Sequence, residues 1–238
     1  MSMRIPVIST QQMVEVDRLM IEEFGIQLLQ MMENAGRNLA ELSRRLLGGN
    51  VQAKHIAVLC GAGNNGGGGM AAARHLQNWG AEIELKVIAA REHLKDAPAH
   101  QFHILEKMGL SDNETLDLDA VDLVIDAMIG YGLTGDPRGI IADWIRRVNG
   151  AARPVLALDT PSGLNMSTGV PGSPCIRATT TMTLALPKAG LLTPQAQPFV
   201  GDLYLADIGV PPELYAAPSL GIDVGPIFVH DTILRLKR

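Results

Sequence analysis

The stretch CGAGNNGGGG, Cys60 to Gly69, carries the strongest chemical signal in the sequence. It follows the apolar run HIAVL and precedes MAAARHLQNW, which is typical of a helix. Gly61, Gly63 and Gly66 have the G-x-G-x-x-G spacing of a dinucleotide-binding turn. Glycines in such a turn let the backbone approach a phosphate at the N-terminus of the helix that follows. The stretch therefore predicts a phosphate-binding loop.

Four consecutive glycines, residues 66–69, oppose helix formation, since each interior glycine costs a helix about 1 kcal/mol relative to alanine. A phosphate on the free N–H groups of the helix would offset this cost, and the alternative is a turn under close helix–strand packing. A redox dinucleotide site also needs an acidic residue about 20 residues after the glycines, to hold the ribose hydroxyls. The second predicted strand ends instead in LKVIAAREH, so the match to a redox site is weak.

Two further strand ends carry polar side chains. Asp126 ends the strand in IDAMIGYGLTGD, and Asp159 ends the strand in LDTPSGLN, with Ser162 three residues later. Each aspartate alone is compatible with a turn or a helix cap. The carboxyl ends of parallel strands converge on one crevice, however, and this favours a shared function. Asn65, Asp126 and Ser162 offer oxygen ligands with too little charge for a tightly held divalent ion, so the sequence predicts a monovalent cation.

Alternating strand and helix patterns must position these loops. Strands are predicted near 55–60, 83–88, 121–126, 154–159, 179–186 and 202–207, and helices near 67–79, 97–108 and 139–149. Two helices precede them within 9–47, the first with a Ser9–Gln12 capping box and an end at Gly25. This order predicts a largely parallel sheet with helices on both faces. A loop joins the last two strands, so we expect that edge to depart from simple parallel winding. The residues from Pro218 onward have no clear periodicity.

Composition narrows the class of protein. At 238 residues and 47% hydrophobic, the chain is long enough for one substantial α/β domain over residues 1–238. The net charge of −5, with scattered lysines and arginines, argues against nucleic acid or an anionic membrane as partner. Cys60 and Cys175 have no metal-ligand spacing and are expected to be buried free thiols. No apolar stretch reaches the length of a membrane span, so a soluble cytoplasmic protein is expected.

Several motifs together resemble the NAD(P)H-hydrate epimerases, also called the YjeF N-terminal domain family, which includes apolipoprotein A-I binding protein. The matching segments are ISTQQMVEVDRLMIEEFGI, MMENAGRNLA, CGAGNNGGGG, IDAMIGYGLTG, LDTPSGLN, LALPKAGLL and ADIGVP. The resemblance extends to about Pro212, which implies a core of about 8–212 followed by a C-terminal extension, 213–238. It also implies a Rossmann-like three-layer α/β/α sandwich with a mostly parallel central sheet and N-terminal helices.

The resemblance further implies an activity and its residues. Members interconvert the R and S forms of hydrated NADH and NADPH, bind potassium, and are often homodimers, with the N-terminal helices among the elements near the interface. In this sequence the implied potassium ligands are Asn65, Asp126 and Ser162, and Asp159 is the acid–base candidate. The implied substrate contacts are Asn64, Asn65, Gly66, Gly67, Gly68, Gly130, Tyr131, Gly132, Leu133, Thr134, Gly135, Asp136 and Asp159.

Two positions depart from the family pattern. Gly68 stands where the G-N-N-G-G-D-G loop has its aspartate, and Asn165 stands where P-S-G-[LW]-D has its own. Losing the loop carboxylate favours one alternative, a non-catalytic module of the same fold that binds a nucleotide, a protein or RNA. A second alternative, an NAD(P)-dependent oxidoreductase, has the glycine spacing in its favour and the missing ribose acid against it.

Overall fold

The computed structural model describes residues 5–133 and 135–237. Its centre is a seven-stranded sheet in the order β2-β1-β3-β4-β5-β6-β7. The strands are β1 His55–Cys60, β2 Glu82–Val87, β3 Leu123–Ala127, β4 Val155–Leu158, β5 Thr180–Leu184, β6 Asp202–Ala206 and β7 Ile233–Arg235. The first six strands in the chain pair in parallel, and β7 runs antiparallel to β6. The predicted mostly parallel sheet is therefore confirmed.

Helices cover both faces of the sheet and make the three predicted layers. The longer helices are α1 Thr10–Arg18, α2 Leu28–Leu46, α3 Asn64–Asn78, α4 Asp96–Lys107 and α5 Gly139–Gly150, and the short ones are α6 Gln197–Val200 and α7 Pro212–Tyr215. One apolar core joins α2, α3 and α4 to the sheet, and a second joins α5 to the other face. Because both faces are covered, β3 and β4 are buried along their whole length. Cys60 and Cys175 are free and buried, as predicted.

The N-terminal helices begin and end as the sequence indicates. Ser9 accepts a hydrogen bond from the Gln12 N–H, and the Gln12 side chain accepts one from the Ser9 N–H, which is the predicted capping box. A short π-helical turn, Leu19–Glu23, follows α1, and the helical segment stops at Gly25, whose φ is +68°. Positive φ favours glycine, so the chain can reverse here and enter α2.

Close packing explains the run of glycines at the start of α3. A Cβ at Gly66 would overlap the Gly61 carbonyl oxygen, and one at Gly69 would lie 2.6 Å from the Ala127 Cβ on β3. A Cβ at Gly67 would lie 2.5 Å from the Met32 sulfur on α2. These approaches are too short for a side chain, so helix–strand and helix–helix packing offsets the propensity cost of the glycines. The helix also begins at Asn64, three residues earlier than predicted.

The C-terminal edge differs from the expected arrangement. The strands β5 and β6 are parallel, because three short helical turns between residues 189 and 200 carry the chain across the sheet. The departure from parallel winding comes one strand later, at β7. Residues after Pro218, which showed no periodicity, contribute Leu220, Val224 and Ile227 to the core that also holds α1. Among the residues described, no helix is long and apolar enough to cross a membrane.

Candidate active site

A cavity of about 360 Å³ lies where β1, β3 and β4 end, between these strand ends and the helices α1 and α2. Predicted contacts that line it are Asn64, Asn65, Gly68, Gly130, Tyr131, Gly132 and Asp159. Gly66 and Gly67 are instead buried in the packing around α3, and Leu133, Gly135 and Asp136 are not part of the wall. Thr134 lies outside the described residues. The structure thus brings seven of the thirteen predicted substrate contacts to one cavity.

The Asp126 carboxylate is fully buried at the end of β3 and is held by three donors. Its Oδ1 accepts from Ser162 Oγ at 2.6 Å and from the Met128 N–H at 3.2 Å, and its Oδ2 accepts from the Ser162 N–H at 2.8 Å. Burial raises the pKa of Asp126 to about 6, although these hydrogen bonds act in the opposite direction. No lysine, arginine or histidine in the described part of the chain pairs with it.

Asn65 reaches the loop that follows β3. Its amide lies against Gly130, since a Cβ on Gly130 would be 3.3 Å from the Asn65 Cγ. The next residue back, Ile129, donates its N–H to Ser162 Oγ at 2.9 Å, so this loop connects Asn65 with the Asp126–Ser162 pair. The Asn65 Nδ2 is buried and has no hydrogen-bond partner among the residues that the structure describes. Reversing the amide places an oxygen acceptor at the same point, which suits a cation.

Asp159 has one carboxylate oxygen anchored by three donors. Its Oδ1 accepts from Lys188 Nζ at 2.7 Å, from Thr183 Oγ1 at 3.2 Å and from the Leu184 N–H at 3.3 Å. No described residue hydrogen-bonds Oδ2, and Asp159 lines the cavity. The residue has φ of +63°, a conformation that aspartate tolerates better than most residues. This backbone turn and the anchored oxygen leave Oδ2 available to a ligand.

Lys188 is the main residue that sequence reasoning missed. Its side chain is 1% exposed, and its Nζ donates to Asp159 and, at 2.9 Å, to the Leu184 carbonyl. A fully buried ammonium is costly unless it is paired and hydrogen-bonded, and Lys188 is both. The signal in the sequence was a single lysine in the apolar run LALPKAGLL, directly after a strand.

Asp17 is the second missed residue in the cavity wall. Tyr131 donates its hydroxyl to Asp17 Oδ2 at 2.5 Å, which joins α1 to the loop after β3. Burial raises the pKa of Asp17, and burial together with Asp17 raises the pKa of Tyr131. The helical pattern of α1 did not predict that Asp17 lies in the cavity wall, because a polar residue beside an apolar stripe usually faces water.

A known protein family matches more than half of this chain. The structure defines an α/β protein with a mostly parallel sheet and a cavity at its strand ends, in whose largely apolar wall a few polar side chains stand. The family model described as "YjeF-related protein N-terminus" matches residues 28–190. The chain therefore belongs to the YjeF-related N-terminal family.

Named relatives match almost the whole chain. A protein of Dehalogenimonas lykanthroporepellens named NAD(P)H-hydrate epimerase is 41% identical over 231 residues, which is 96% of this chain and 92% of the relative. A second NAD(P)H-hydrate epimerase, from Rhodopirellula baltica, is 37% identical over 89% of this chain and 88% of the relative. The bifunctional NAD(P)H-hydrate repair enzyme Nnr of Moorella thermoacetica is 38% identical, but this chain covers only 41% of it. The crystal structure of yeast ynu0 has a TM-score of 0.80 at 22% identity, over 97% of this chain and 100% of that one, and shows the same fold.

Proposed function

We propose that this protein is an isomerase that interconverts the R and S forms of hydrated NADH and NADPH, and so takes part in cofactor repair. Full-length relatives named NAD(P)H-hydrate epimerase support this function over a non-catalytic module. The structural observation that carries the proposal is the Asp159 carboxylate, anchored through Oδ1 and open to the cavity through Oδ2.

The chemistry of the substrate needs little beyond a positioned proton-transfer group. In the hydrated ring, the carbon that bears the hydroxyl is bonded to the ring nitrogen. The nitrogen lone pair expels the hydroxyl when a proton is supplied, which gives water and a cationic ring with a C=N bond. Water then adds to the other face and gives up a proton, which inverts the centre. In this proposal Asp159 exchanges such a proton, and its negative carboxylate stabilises the developing positive charge.

The cavity also suits the diphosphate of the substrate. The N–H groups of Asn64, Asn65 and Gly66 are in the first turn of α3, where no helix carbonyl pairs with them. Lys95 lines the same cavity and adds a positive charge. We place the diphosphate between these groups, on the positive end of the helix dipole. The remaining predicted contacts on the loop 130–136 stay predictions.

Potassium is the second part of the proposal. A buried carboxylate with no cationic partner is expensive, and a monovalent cation at Asp126 would relieve that cost. Asn65, Asp126 and Ser162 are the residues that would hold it. When bound, the ion would neutralise Asp126 and fix the relative positions of the three loops.

Thermal unfolding tests the cation. Potassium chloride should stabilise the protein more than lithium chloride at equal ionic strength, by about 2.7 kcal/mol when potassium is about 100 times its Kd. The Asp126→Asn variant should lose this difference. Asp143→Asn, an exposed carboxylate on α5, serves as the control and should keep it. Equal unfolding temperatures for the wild type in the two salts would contradict the potassium site.

The homodimer predicted from the resemblance remains a proposal. Val14, Ile21 and Phe24 on the N-terminal helical segment are large apolar side chains that are 43% or more exposed. Such side chains favour burial against a second copy, and sedimentation velocity measures the outcome. The cytoplasmic location expected from the sequence also remains a prediction.

The function is tested with an assay that resolves the two epimers. Pure S or R forms of hydrated NADH and NADPH, separated by chromatography over time, should equilibrate much faster with the protein than without it. Wild-type protein that binds the hydrates and leaves the spontaneous rate unchanged would favour the non-catalytic module. Absorbance change at the reduced-nicotinamide band with a second substrate would favour the oxidoreductase.

Gly68 offers a test of how far the missing loop carboxylate matters. Gly68→Asp should raise the epimerisation rate by roughly tenfold to a hundredfold, which corresponds to one charged hydrogen bond of about 1.5–3 kcal/mol. The new Cβ would lie 2.9 Å from the Leu158 Cδ2, the flexible end of a side chain that can shift. Gly68→Asn, of the same size but neutral, is the matched control. Equal rates for the two variants would show that the charge at this position contributes nothing.

A further inference from the structure

The cavity holds a second carboxyl group that the proposed function does not yet use. Asp17 comes from α1, and Asp159 comes from the end of β4, so the two acids reach the cavity from different elements. Tyr131 holds Asp17 through the 2.5 Å hydrogen bond to Oδ2. No described residue hydrogen-bonds Oδ1, which parallels the arrangement at Asp159.

The buried ammonium group of Lys188 bonds one of these two carboxyl groups and not the other. Lys188 Nζ is 2.7 Å from Asp159 Oδ1 and donates its other hydrogen bonds to Thr183 and Leu184. In the described part of the chain, no lysine or arginine forms an ion pair with Asp17. One carboxyl is therefore neutralised by Lys188, and the other retains a proton or faces a positive charge on a ligand.

The titratable groups that face Asp17 come from four other segments. Burial raises the pKa of Asp17, and the charge of Asp159 acts in the same direction. The Tyr131 hydrogen bond and the charge of Lys188 lower it. Tyr215 on α7 also faces this carboxyl, whose charge contributes to the raised pKa of that phenol. The net shift is upward, which favours the protonated form closer to neutral pH.

We propose that Asp17 is a second proton-transfer residue of the site, paired with Asp159; this inference rests on the proposed epimerase function. The protonated Asp17 gives its proton to the hydroxyl, the C–O bond breaks, and the ring nitrogen forms the C=N bond. Water then adds to the opposite face, its oxygen bonds to carbon, and Asp159 accepts the released proton. The reverse reaction starts from protonated Asp159 and returns the proton to Asp17, so protons and electrons balance in both directions.

The test is the pH profile of Asp17→Asn, measured with separated epimers of hydrated NADPH. Wild-type kcat/KM should fall as the pH rises through the pKa of Asp17, because the acid is then lost. Asp17→Asn keeps the size of the side chain and should lower kcat/KM by about 100-fold or more. The fall of kcat/KM at high pH, the basic limb of the profile, should be absent in this variant. Glu22→Gln, an exposed carboxylate close by in the chain, should match the wild type.

Tyr131→Phe is the second variant, and it tests the inference even if Asp17→Asn does not fold. The Tyr131 hydrogen bond lowers the pKa of Asp17, so its loss should move the basic limb to higher pH. A residue with a merely structural role would change the rate equally at all pH values. An active wild type whose Asp17→Asn and Tyr131→Phe variants keep the same basic limb would overturn the inference and leave the proposed function standing. A wild type with no activity would overturn both.

Discussion

Asp159→Asn is expected to lower kcat for epimerisation by about 10²–10⁴-fold, the usual contribution of a positioned acid–base group. Asparagine has the size of aspartate, and its oxygen can still accept the hydrogen bond from Lys188 Nζ. It cannot exchange a proton with the substrate at neutral pH. The measurement is the initial rate of epimer interconversion, with hydrate binding followed by calorimetry to show that the cavity is intact.

The structure explains why alanine is the poorer substitution at this position. Asp159→Ala would remove the only carboxylate bonded to Lys188 among the described residues and leave a buried ammonium without its partner. Loss of one member of such a pair costs about 3–5 kcal/mol, so unfolding would be mistaken for a catalytic effect. Asp202→Asn, whose carboxylate is 54% exposed and pairs with Arg235, is the control and should retain full activity. If Asp159→Asn binds the hydrate and keeps the wild-type rate, Asp159 is not the acid–base residue.

Lys188→Met should destabilise the protein by about 3–5 kcal/mol. Methionine fills a similar volume, but it leaves the Asp159 carboxylate buried with no cation bonded to it. Urea denaturation gives the change in the free energy of unfolding. Lys54→Met provides the contrast, because Lys54 and Asp122 form a half-exposed pair 3.5 Å apart, worth at most about 1 kcal/mol.

A double-mutant cycle separates the ion pair from packing. Asp159→Asn combined with Lys188→Met removes both charges. The double variant should therefore lose less free energy of unfolding than the sum of the losses in the two single variants. A coupling near zero, or a Lys188→Met variant as stable as the wild type, would mean that the two buried groups do not interact as charges.

Local pattern in the sequence determined much of the architecture. The Ser9–Gln12 capping box, the end of the first helical segment at Gly25 and the positions of the first six strands along the chain follow from residues close together in the sequence. Helix and strand periodicities and caps are local effects, so a single sequence reveals them. The three-residue strand β7 is too short to show a periodicity, and only the free edge of β6 gives it a partner.

Placement of the polar side chains at the strand ends was also visible in the sequence, because parallel strands bring their carboxyl ends together. This rule predicted that Asp126 and Ser162 meet, and their side chains are 2.6 Å apart. It also placed Asp159 in the crevice, where it lines the cavity. The roles of these residues as cation ligands and acid–base group stay predictions.

Tertiary structure alone decided the environment of those residues. The run of four glycines indicated a phosphate site in the sequence. In the structure, a Cβ at Gly66 would overlap the Gly61 carbonyl oxygen, and a Cβ at Gly69 would overlap Ala127 of β3, so packing requires glycine at both positions. The partners of the two cavity carboxylates lie 29 residues away for Asp159 and 114 residues away for Asp17. Whether a lysine is buried or a tyrosine reaches an aspartate depends on charges and loops that meet only when the chain is folded. Electrostatic pairing and close packing act through space, and no spacing along the chain encodes them.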